Sequence, residues 1–327
     1  MKKLFILFVL CILLFPNMNV CAQEFTLKCG SIETVGGIEY QTMQWVIGEI
    51  DQRSEGKIKI DYYPASQLGP TNEQCDAVQV GTLDLLVMSG NIMGNISSEY
   101  YMIDSLPFVF RDQQHRIAFQ NSELNKERKE KLLEELGLRI VTDEWYKLQH
   151  TLVAKRPILK PEDFKDFKMR VPEVKGQFIG WSQAIGHSPI TLPWGEVYLG
   201  LRQGLIDGVA VSFEAMEETK FAEVAPHITM IGAEFGYQCV IMNEKSYQKL
   251  PTDLRDILVS VFNEGGEIYA ELVKNQYAKN LAYLERIGAK VYEVDTVPFR
   301  ERMKDLPEEL DKAGLLSKEM FEKVSNL

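Results

Sequence analysis

The fold is decided by residues 25–89, FTLKCGSIETVGGIEYQTMQWVIGEIDQRSEGKIKIDYYPASQLGPTNEQCDAVQVGTLDLLVMS. Apolar runs and strict apolar–polar alternation indicate strands, whereas apolar residues three and four apart indicate helices. The expected strands are 25–30, 57–63 and 83–89, and the expected helices between them are 40–54 and 72–80. Alternating strands and helices predict right-handed parallel crossovers and a sheet covered on both faces.

The same alternation continues towards the carboxyl end. We expect strands at 138–143, 151–154, 168–171, 188–192 and 208–212, and helices at 113–136, 176–185 and 195–203, the last capped by Gly204. Helical spacing then runs from Thr252 to about Arg286, far beyond the roughly 8–20 residues of an ordinary globular helix. This segment is therefore expected to span more than one lobe, and Gly265 and Gly266 inside it would permit a bend.

The first residues predict export. Lys2 and Lys3 precede an unbroken apolar run over 4–15, which is shorter than the roughly 20 residues of a membrane-spanning helix. A basic start, a short apolar stretch and small residues are typical of a secretory signal peptide, here 1–22 with cleavage after Ala22. Cys21 as a lipid attachment site is the alternative, but Asn19 and Val20 fit that motif poorly. The mature protein is expected to be soluble in the periplasm.

Composition excludes several classes of protein. With 36 Lys and Arg against 47 Asp and Glu, the chain has a formal charge of −11, which argues against a nucleic-acid partner. Its 45% hydrophobic and 25% charged residues are those of an ordinary globular protein. Cys29, Cys75 and Cys239 match no metal-site spacing, and they are either buried thiols or include one disulfide pair.

Motifs of enzyme chemistry are absent from the sequence. There is no GxGxxG, no GxxxxGK[ST], no HExxH, no CxxC and no GxSxG, and the four His residues lie far apart. We therefore predict no catalytic residue, no metal and no cofactor, and favour a binding protein. Ligands of such sheets bind beyond the carboxyl ends of the strands, so the loops of interest follow Gly30, Leu86, Asp143, Val171, Leu192 and Val211.

A set of short motifs carries a family resemblance. They are GKIKI (56–60), YPASQLG (63–69), QVGTLD (79–84), LPFVFR (106–111), KRPI (155–158), PEDFK (161–165), KMRVP (168–172), WGEVY (194–198), QGLIDG (203–208), KFAEV (220–224) and LP (250–251). In this order and spacing, the chain resembles the DctP-type solute-binding proteins of TRAP (tripartite ATP-independent periplasmic) transporters over almost its whole mature length.

This resemblance implies a two-lobed, periplasmic-binding-protein-like α/β fold with mixed sheets, a hinge and a long helix across both lobes. The N-terminal lobe would comprise 24–145 plus 233–273, and the C-terminal lobe 146–232 plus 274–327. A monomer would close its cleft on an organic acid and deliver it to the TRAP membrane permease subunits. Two alternatives stay open: a ligand-sensing partner of a membrane receptor, and a periplasmic enzyme acting on the bound acid.

The resemblance also implies that Arg170 pairs with the ligand carboxylate. The role suits the residue, because a planar guanidinium holds a carboxylate in two parallel hydrogen bonds. A surface arginine paired with Glu173 or Asp166 is the alternative interpretation.

Three positions depart from the family pattern. Gln149 or His150 stands where a second basic residue is frequent, Val211 where asparagine is common, and Trp194 where a smaller aromatic residue is usual. These departures shift the expected ligand from a small dicarboxylate towards a monocarboxylate with a larger or more apolar body.

Further ligand contacts are expected from loop and hinge residues. The candidates are Glu33, Ser89, Asn91, Phe213, Glu214 and Tyr237. Each has a structural alternative: a solvated loop acid for Glu33, turn residues for Ser89 and Asn91, and packing for the two aromatic residues. Glu214 could instead be an acid that complements a helix N-terminus.

Overall fold

The computed structural model describes residues 25–327, so the predicted signal peptide and its predicted cleavage site lie outside the described residues. The strands are β1 Phe25–Ser31, β2 Ile58–Tyr63, β3 Leu85–Ser89, β4 Leu138–Ala154, β5 Met169–Val171, β6 Ile190–Thr191, β7 Gly208–Ser212, β8 His227–Met230, β9 Phe235–Asn243 and β10 Lys290–Glu293. The helices are α1 Ile38–Arg53, α2 Thr71–Val80, α3 Met93–Ile96, α4 Ser98–Tyr101, α5 Gln113–Gln120, α6 Glu123–Leu136, α7 Lys175–Ile185, α8 Val197–Gln203, α9 Met216–Thr219, α10 Glu244–Lys249, α11 Thr252–Arg286, α12 Val297–Glu301, α13 Leu306–Lys312 and α14 Lys318–Ser325.

The strands form one continuous array in the order β2-β1-β3-β9-β4-β7-β5-β6, with β8 beside β4 and β10 beside β8. Strand β1 runs parallel to β2 and β3, and β5 runs parallel to β6 and β7, as the crossover pattern predicts. Strands β4 and β9 pair antiparallel with their neighbours. The predicted α/β fold with mixed sheets is confirmed.

Strand β4 joins the two halves of this array. It is a single strand of 17 residues, whereas the sequence predicts two short strands at 138–143 and 151–154. Its first part pairs with β9 as far as Gln149, and from His150 onwards it pairs with β7. Register shifts after Ile140, Thr142 and Tyr146 interrupt the apolar–polar alternation. The alternation in the sequence therefore does not predict that the strand continues between 143 and 151.

Strands β8, β9 and β10 are also missing from the sequence-based prediction. In β9, every residue from Tyr237 to Asn243 is buried, so both faces are covered and no alternation marks the strand. The predicted helix over 113–136 is two helices, because Asp112 and Ser122 each cap a new helix with a side-chain oxygen.

Helix α11 spans 35 residues and packs on both halves of the molecule. A Cβ atom at Gly265 would lie 3.0 Å from the Trp145 ring and 3.0 Å from Val46, so this glycine lets the helix approach β4 closely. Further along, Asn280 Nδ2 donates to the carbonyl oxygens of Phe213 at 2.7 Å and Glu214 at 2.9 Å. The expectation that this segment bridges two lobes is met.

The C-terminal helices form a second connection between the halves. Leu310 and Phe321 pack against Ile103, Phe110 and other residues that precede β4. Cys29, Cys75 and Cys239 are buried as separate thiols. Within residues 25–327, no helix is long and apolar enough to cross a membrane.

Candidate functional site

A cavity of about 450 Å³ lies between the two halves of the sheet array. Its walls come from the loops after β1, β3, β5, β6 and β7, together with inward-facing residues of β4 and β9. These loops all follow the carboxyl ends of their strands, where ligands of α/β sheets bind. Five of the six loops singled out from the sequence thus meet at one site; the one expected after Asp143 is instead the continuous strand β4.

Eight of the eleven candidate residues line this cavity. They are Glu33, Ser89, Asn91, His150, Arg170, Trp194, Val211 and Glu214. They belong to segments far apart in sequence, and the crossovers of the sheet bring them together.

Three candidates lie elsewhere, and side-chain alternation along strands accounts for two of them. On β4, His150 faces the cavity, so its neighbour Gln149 faces away, towards the backbone at Gly232. On β9, Gln238 faces the cavity, and Tyr237 packs on the opposite face against Gly90 and in the apolar core.

Phe213 is the third candidate outside the cavity. It is fully buried in the core of the second half, where its ring lies 5.0 Å from that of Tyr277. Its neighbours Ser212 and Glu214 reach the cavity instead.

Arg170 is the central cation of the site. It projects from β5, its side chain is 6% exposed, and its Nε donates to the carbonyl oxygen of Leu192 at 2.9 Å. The guanidinium carbon lies 5.5 Å from the centre of the Trp194 ring. Within residues 25–327, no carboxylate forms an ion pair or hydrogen bond with this guanidinium, and burial lowers its pKa. Arg170 therefore lies in the cavity wall with a backbone acceptor but without a carboxylate partner among the described residues.

An apolar wall flanks Arg170. Val211 is 3% exposed and lines the cavity with Ile38, Ile92 and Trp181, while the half-buried Trp194 packs edge-on against Phe221. The part of the cavity wall beside Arg170 is therefore apolar.

Glu234 connects both halves of the molecule beneath the cavity. Its carboxylate accepts from Asn91 Nδ2 at 3.1 Å and from Gln177 Nε2 at 3.0 Å, and its backbone oxygen accepts from the amide of His150 at 2.8 Å. His150 Nδ1 lies 3.4 Å from the Glu234 carboxylate, without the geometry of a hydrogen bond. Burial lowers the pKa of His150 below its ordinary value despite that carboxylate, so the ring is neutral at pH 7.

Lys147 supplies the other positive charge. It is 9% exposed, and its Nζ lies 3.6 Å from Glu33 Oε1. Burial acts to lower the pKa of Lys147, but the surrounding Glu33, Glu214, Glu39 and Glu218 raise it above its ordinary value. The ammonium is therefore already paired with carboxylates of the protein, whereas Arg170 has no carboxylate partner among the described residues.

Polar contacts bridge the rim of the cavity. Asn72 Nδ2 donates to Glu173 Oε2 at 3.3 Å, and Asn95 Nδ2 donates to the backbone oxygen of Glu173 at 2.9 Å. Because Asn72 and Asn95 precede β4 and Glu173 follows it, the two walls are in contact here and the cleft is closed.

Sequence reasoning missed several polar residues of this site. They are Glu39, Lys147, Gln177, Glu218, Glu234 and Gln238. One signal was available, because Gln238 and Lys147 are polar residues inside segments that are otherwise largely apolar. Within the described part of the chain, no group of His, Cys, Asp or Glu is arranged to hold a metal ion.

The family model for bacterial extracellular solute-binding proteins, family 7 (DctP), matches residues 34–312. The chain belongs to this family. The resemblance seen in the motifs is thereby confirmed, and the protein is a solute receptor whose described cavity occupies the cleft between its lobes. The sialic acid-binding periplasmic protein SiaP of Vibrio cholerae is 30% identical to this receptor over 286 residues, which are 88% of either chain.

Solved structures agree with the two-lobed fold. A TRAP periplasmic solute-binding protein from Sulfitobacter, crystallised with β-D-galacturonate, superimposes with a TM-score of 0.83 at 22% identity, covering 92% of this receptor and 98% of that chain. One from Polaromonas, bound to D-erythronate, gives a TM-score of 0.83 at 24% identity with the same coverage. At this identity, the likeness shows the fold alone.

Proposed function

We propose that this receptor binds an organic monocarboxylate in its interlobe cleft and delivers it, chemically unchanged, to a TRAP membrane permease. The observation that carries the proposal is Arg170, a buried guanidinium in the cleft with no carboxylate partner among the described residues. Leaving such a charge buried and unpaired is costly, and a ligand carboxylate would remove that cost through two charge-assisted hydrogen bonds.

The named ligands of the related proteins support a carboxylate. Sialic acid, galacturonate, erythronate, glucuronate and succinate all carry at least one. A single carboxylate fits this receptor better than two, because Lys147 is engaged by Glu33 and Arg170 is the remaining free cation of the described cavity. Val211 and Trp194 add an apolar wall beside it.

The cellular setting completes the proposal. We propose export through the signal peptide 1–22 with cleavage after Ala22, and action in the periplasm as a monomer. The lobes are proposed to comprise 24–145 plus 233–273 and 146–232 plus 274–327. The passage of β4 from β9 to β7 at His150 supports the first of these boundaries.

Isothermal titration with a panel of carboxylates tests the proposal, followed by recovery of the bound acid. We expect one class of monocarboxylate to bind and Arg170→Ala to weaken it by roughly 30- to several-thousand-fold, the cost of leaving a buried anion without its partner. Arg170→Lys keeps the charge but loses the planar fork, so it should recover part of the loss. Near-native affinity in Arg170→Ala would place the carboxylate elsewhere, and recovery of a chemically altered acid would favour an enzyme.

The apolar wall is tested separately. Trp194→Ala should weaken binding by about 2–4 kcal/mol, since a large aromatic contact is lost. Val211→Asn should shift preference towards more polar acids, because it adds an amide where the wall is apolar. An unchanged ligand profile in both variants would mean that these residues only complete the fold.

A further inference from the structure

Four carboxylates converge at one part of the cavity. Glu33 and Glu39 come from the loop after β1 and the start of α1, and Glu214 and Glu218 come from the segment after β7. We call these four residues the carboxylate cluster. Lys147 is the cation that they surround, 3.6 Å from Glu33. One ammonium thus faces four acidic groups.

The carboxylate cluster contains an acceptor that lacks a donor. Gln238 Nε2 donates to Glu33 Oε1 at 3.0 Å and to Glu39 Oε2 at 2.8 Å, which fixes the orientation of the amide. The other polar atom of this amide, Gln238 Oε1, is an acceptor. It is buried without a partner among the described residues, in a side chain that is 1% exposed and lines the cavity. Buried acceptors of this kind are normally satisfied, so a donor is missing here.

Hydrogen-bond donors of the protein contact some of the oxygen atoms of the carboxylate cluster. Glu39 accepts from Ser31 Oγ at 2.6 Å and from the Tyr62 hydroxyl at 2.9 Å, and Glu214 accepts from the amide of Leu148 at 3.0 Å. Burial and the neighbouring Glu33 raise the pKa of Glu39 to about 8 and that of Glu218 to about 7. With Lys147 as its only close cation among the described residues, the cluster resists full ionisation, which a second positive charge would relieve.

The two pairs of the carboxylate cluster face each other across the cleft. A Cβ atom added to Gly37, beside Glu33 and Glu39, would lie 2.4 Å from Glu218 Oε2, so the Glu218 carboxylate reaches the opposite lobe. Like charges brought together from two lobes oppose closure. A cation placed between them would reverse that effect and hold the lobes together.

We propose that the ligand is a zwitterion: its carboxylate pairs with Arg170, and a cationic nitrogen group pairs with the carboxylate cluster and Gln238. This inference rests on the proposed function, because it takes the anion at Arg170 as given. A purely anionic ligand would add negative charge to a cavity that already has an excess of carboxylates. A zwitterion would instead supply an anion for Arg170 and a cation for the carboxylate cluster. The ammonium of such a ligand would also supply the donor that Gln238 Oε1 lacks.

The test compares probes that differ in one group. Alkanoates, ω-hydroxyalkanoates and ω-aminoalkanoates of matched length are titrated calorimetrically, together with D-glucuronate and its amino-sugar counterpart. In the best-fitting pair, the amino acid should bind at least about 30-fold more tightly than its hydroxy analogue, since only the ammonium forms buried ion pairs. Glu218→Gln should remove most of that advantage, because it should weaken binding of the amino acid much more than binding of the hydroxy acid. Glu127→Gln, which removes an exposed carboxylate from α6, is the matched control and should change neither.

Proton release gives a second readout. Titration near pH 7 in two buffers of different ionisation enthalpy should show protons released with the amino probe, because a cation favours the ionised form of Glu218 and Glu39. The hydroxy probe should release none. Equal binding of amino and hydroxy probes, or unchanged amino-probe binding in Glu218→Gln, would overturn the zwitterion while the carboxylate site stands. Failure of every probe to bind, or full binding in Arg170→Ala, would overturn the carboxylate site and the zwitterion together.

Discussion

The receptor buries arginine side chains in two regions, and a carboxylate neutralises their charge in the first region but not in the second. Behind the first lobe, the guanidinium groups of Arg116 and Arg128 both pair with Asp104, and all three side chains are almost fully buried. Aromatic rings cover the cations: the Phe110 ring lies 3.4 Å from Arg116, and the Tyr101 ring lies 4.4 Å from Arg128. In the cleft, Arg170 is as deeply buried but has one backbone acceptor and no carboxylate among the described residues.

The difference separates a structural charge from a functional one. The Asp104 group is completed by the protein, so its ion pairs and hydrogen bonds contribute to folding. Among the described residues of the cleft, Arg170 lacks a carboxylate partner, whereas four carboxylates share the single ammonium of Lys147. Burial alone therefore does not distinguish the two arginine regions; the presence or absence of a carboxylate partner does.

The largest effect on folding should come from the completed region. Asp104→Asn leaves two buried guanidinium groups without their carboxylate, which should lower the free energy of unfolding by about 3–5 kcal/mol in urea denaturation. Asp76→Asn, at an exposed carboxylate on α2, is the control and should stay within about 0.5 kcal/mol. A loss below about 1 kcal/mol in Asp104→Asn would mean that the two regions do not differ as described.

The cleft should show the opposite behaviour. Arg170→Ala removes a charge that no carboxylate of the described residues stabilises, so the melting temperature without ligand should be unchanged or slightly higher, while binding is lost. Thermal melts of wild type and variant, with and without ligand, give both quantities. A melting temperature that falls by as much as that of Asp104→Asn would show that Arg170 is structural.

The last prediction concerns the pH dependence of the free energy of unfolding, to which Glu218 and Glu39 in the cleft contribute. Since Glu218 and Glu39 have pKa values raised from 4.5 to about 7 and about 8, the folded state binds more protons than the unfolded state. Their contribution to the free energy of unfolding is fully present below about pH 4.5, the ordinary pKa, and is lost as the pH rises through the folded-state values of about 7 and about 8. Glu218→Gln should flatten the lower part of this loss in denaturation experiments between pH 4.5 and 8. An identical pH profile in the variant would show that Glu218 titrates normally.

The sequence predicted the regular parts of this molecule well. The crossovers from β1 to β3, the full extent of α11 and the loops that form the cleft were all visible, because their apolar periodicity is local. Glu33, which lies on one of those loops, is accordingly in the cavity, and so is Arg170 on β5, which the family resemblance rather than the periodicity indicated.

What the sequence could not show depends on contacts between distant segments. The face of β9 that meets the cleft is fixed by its register against β3 and β4, so the sequence does not reveal that Gln238 lines the cavity and that the candidate Tyr237 faces the core. Glu234 is placed in the site by its hydrogen bonds with Asn91 and Gln177, which lie on other elements. Glu218 is placed there by its approach to Gly37. Such groupings are not periodic, and no local pattern marks them.

The position of β9 has a consequence for how the chain matures. Strand β3 pairs with β9 from Leu85 opposite Met242 to Ser89 opposite Gln238, so the first sheet has to wait for a segment made much later. Closing so long a loop costs entropy before any pairing repays it, and folding through such distant contacts is slow. A growing polypeptide therefore keeps its first three strands unfinished until residue 243 has been synthesised.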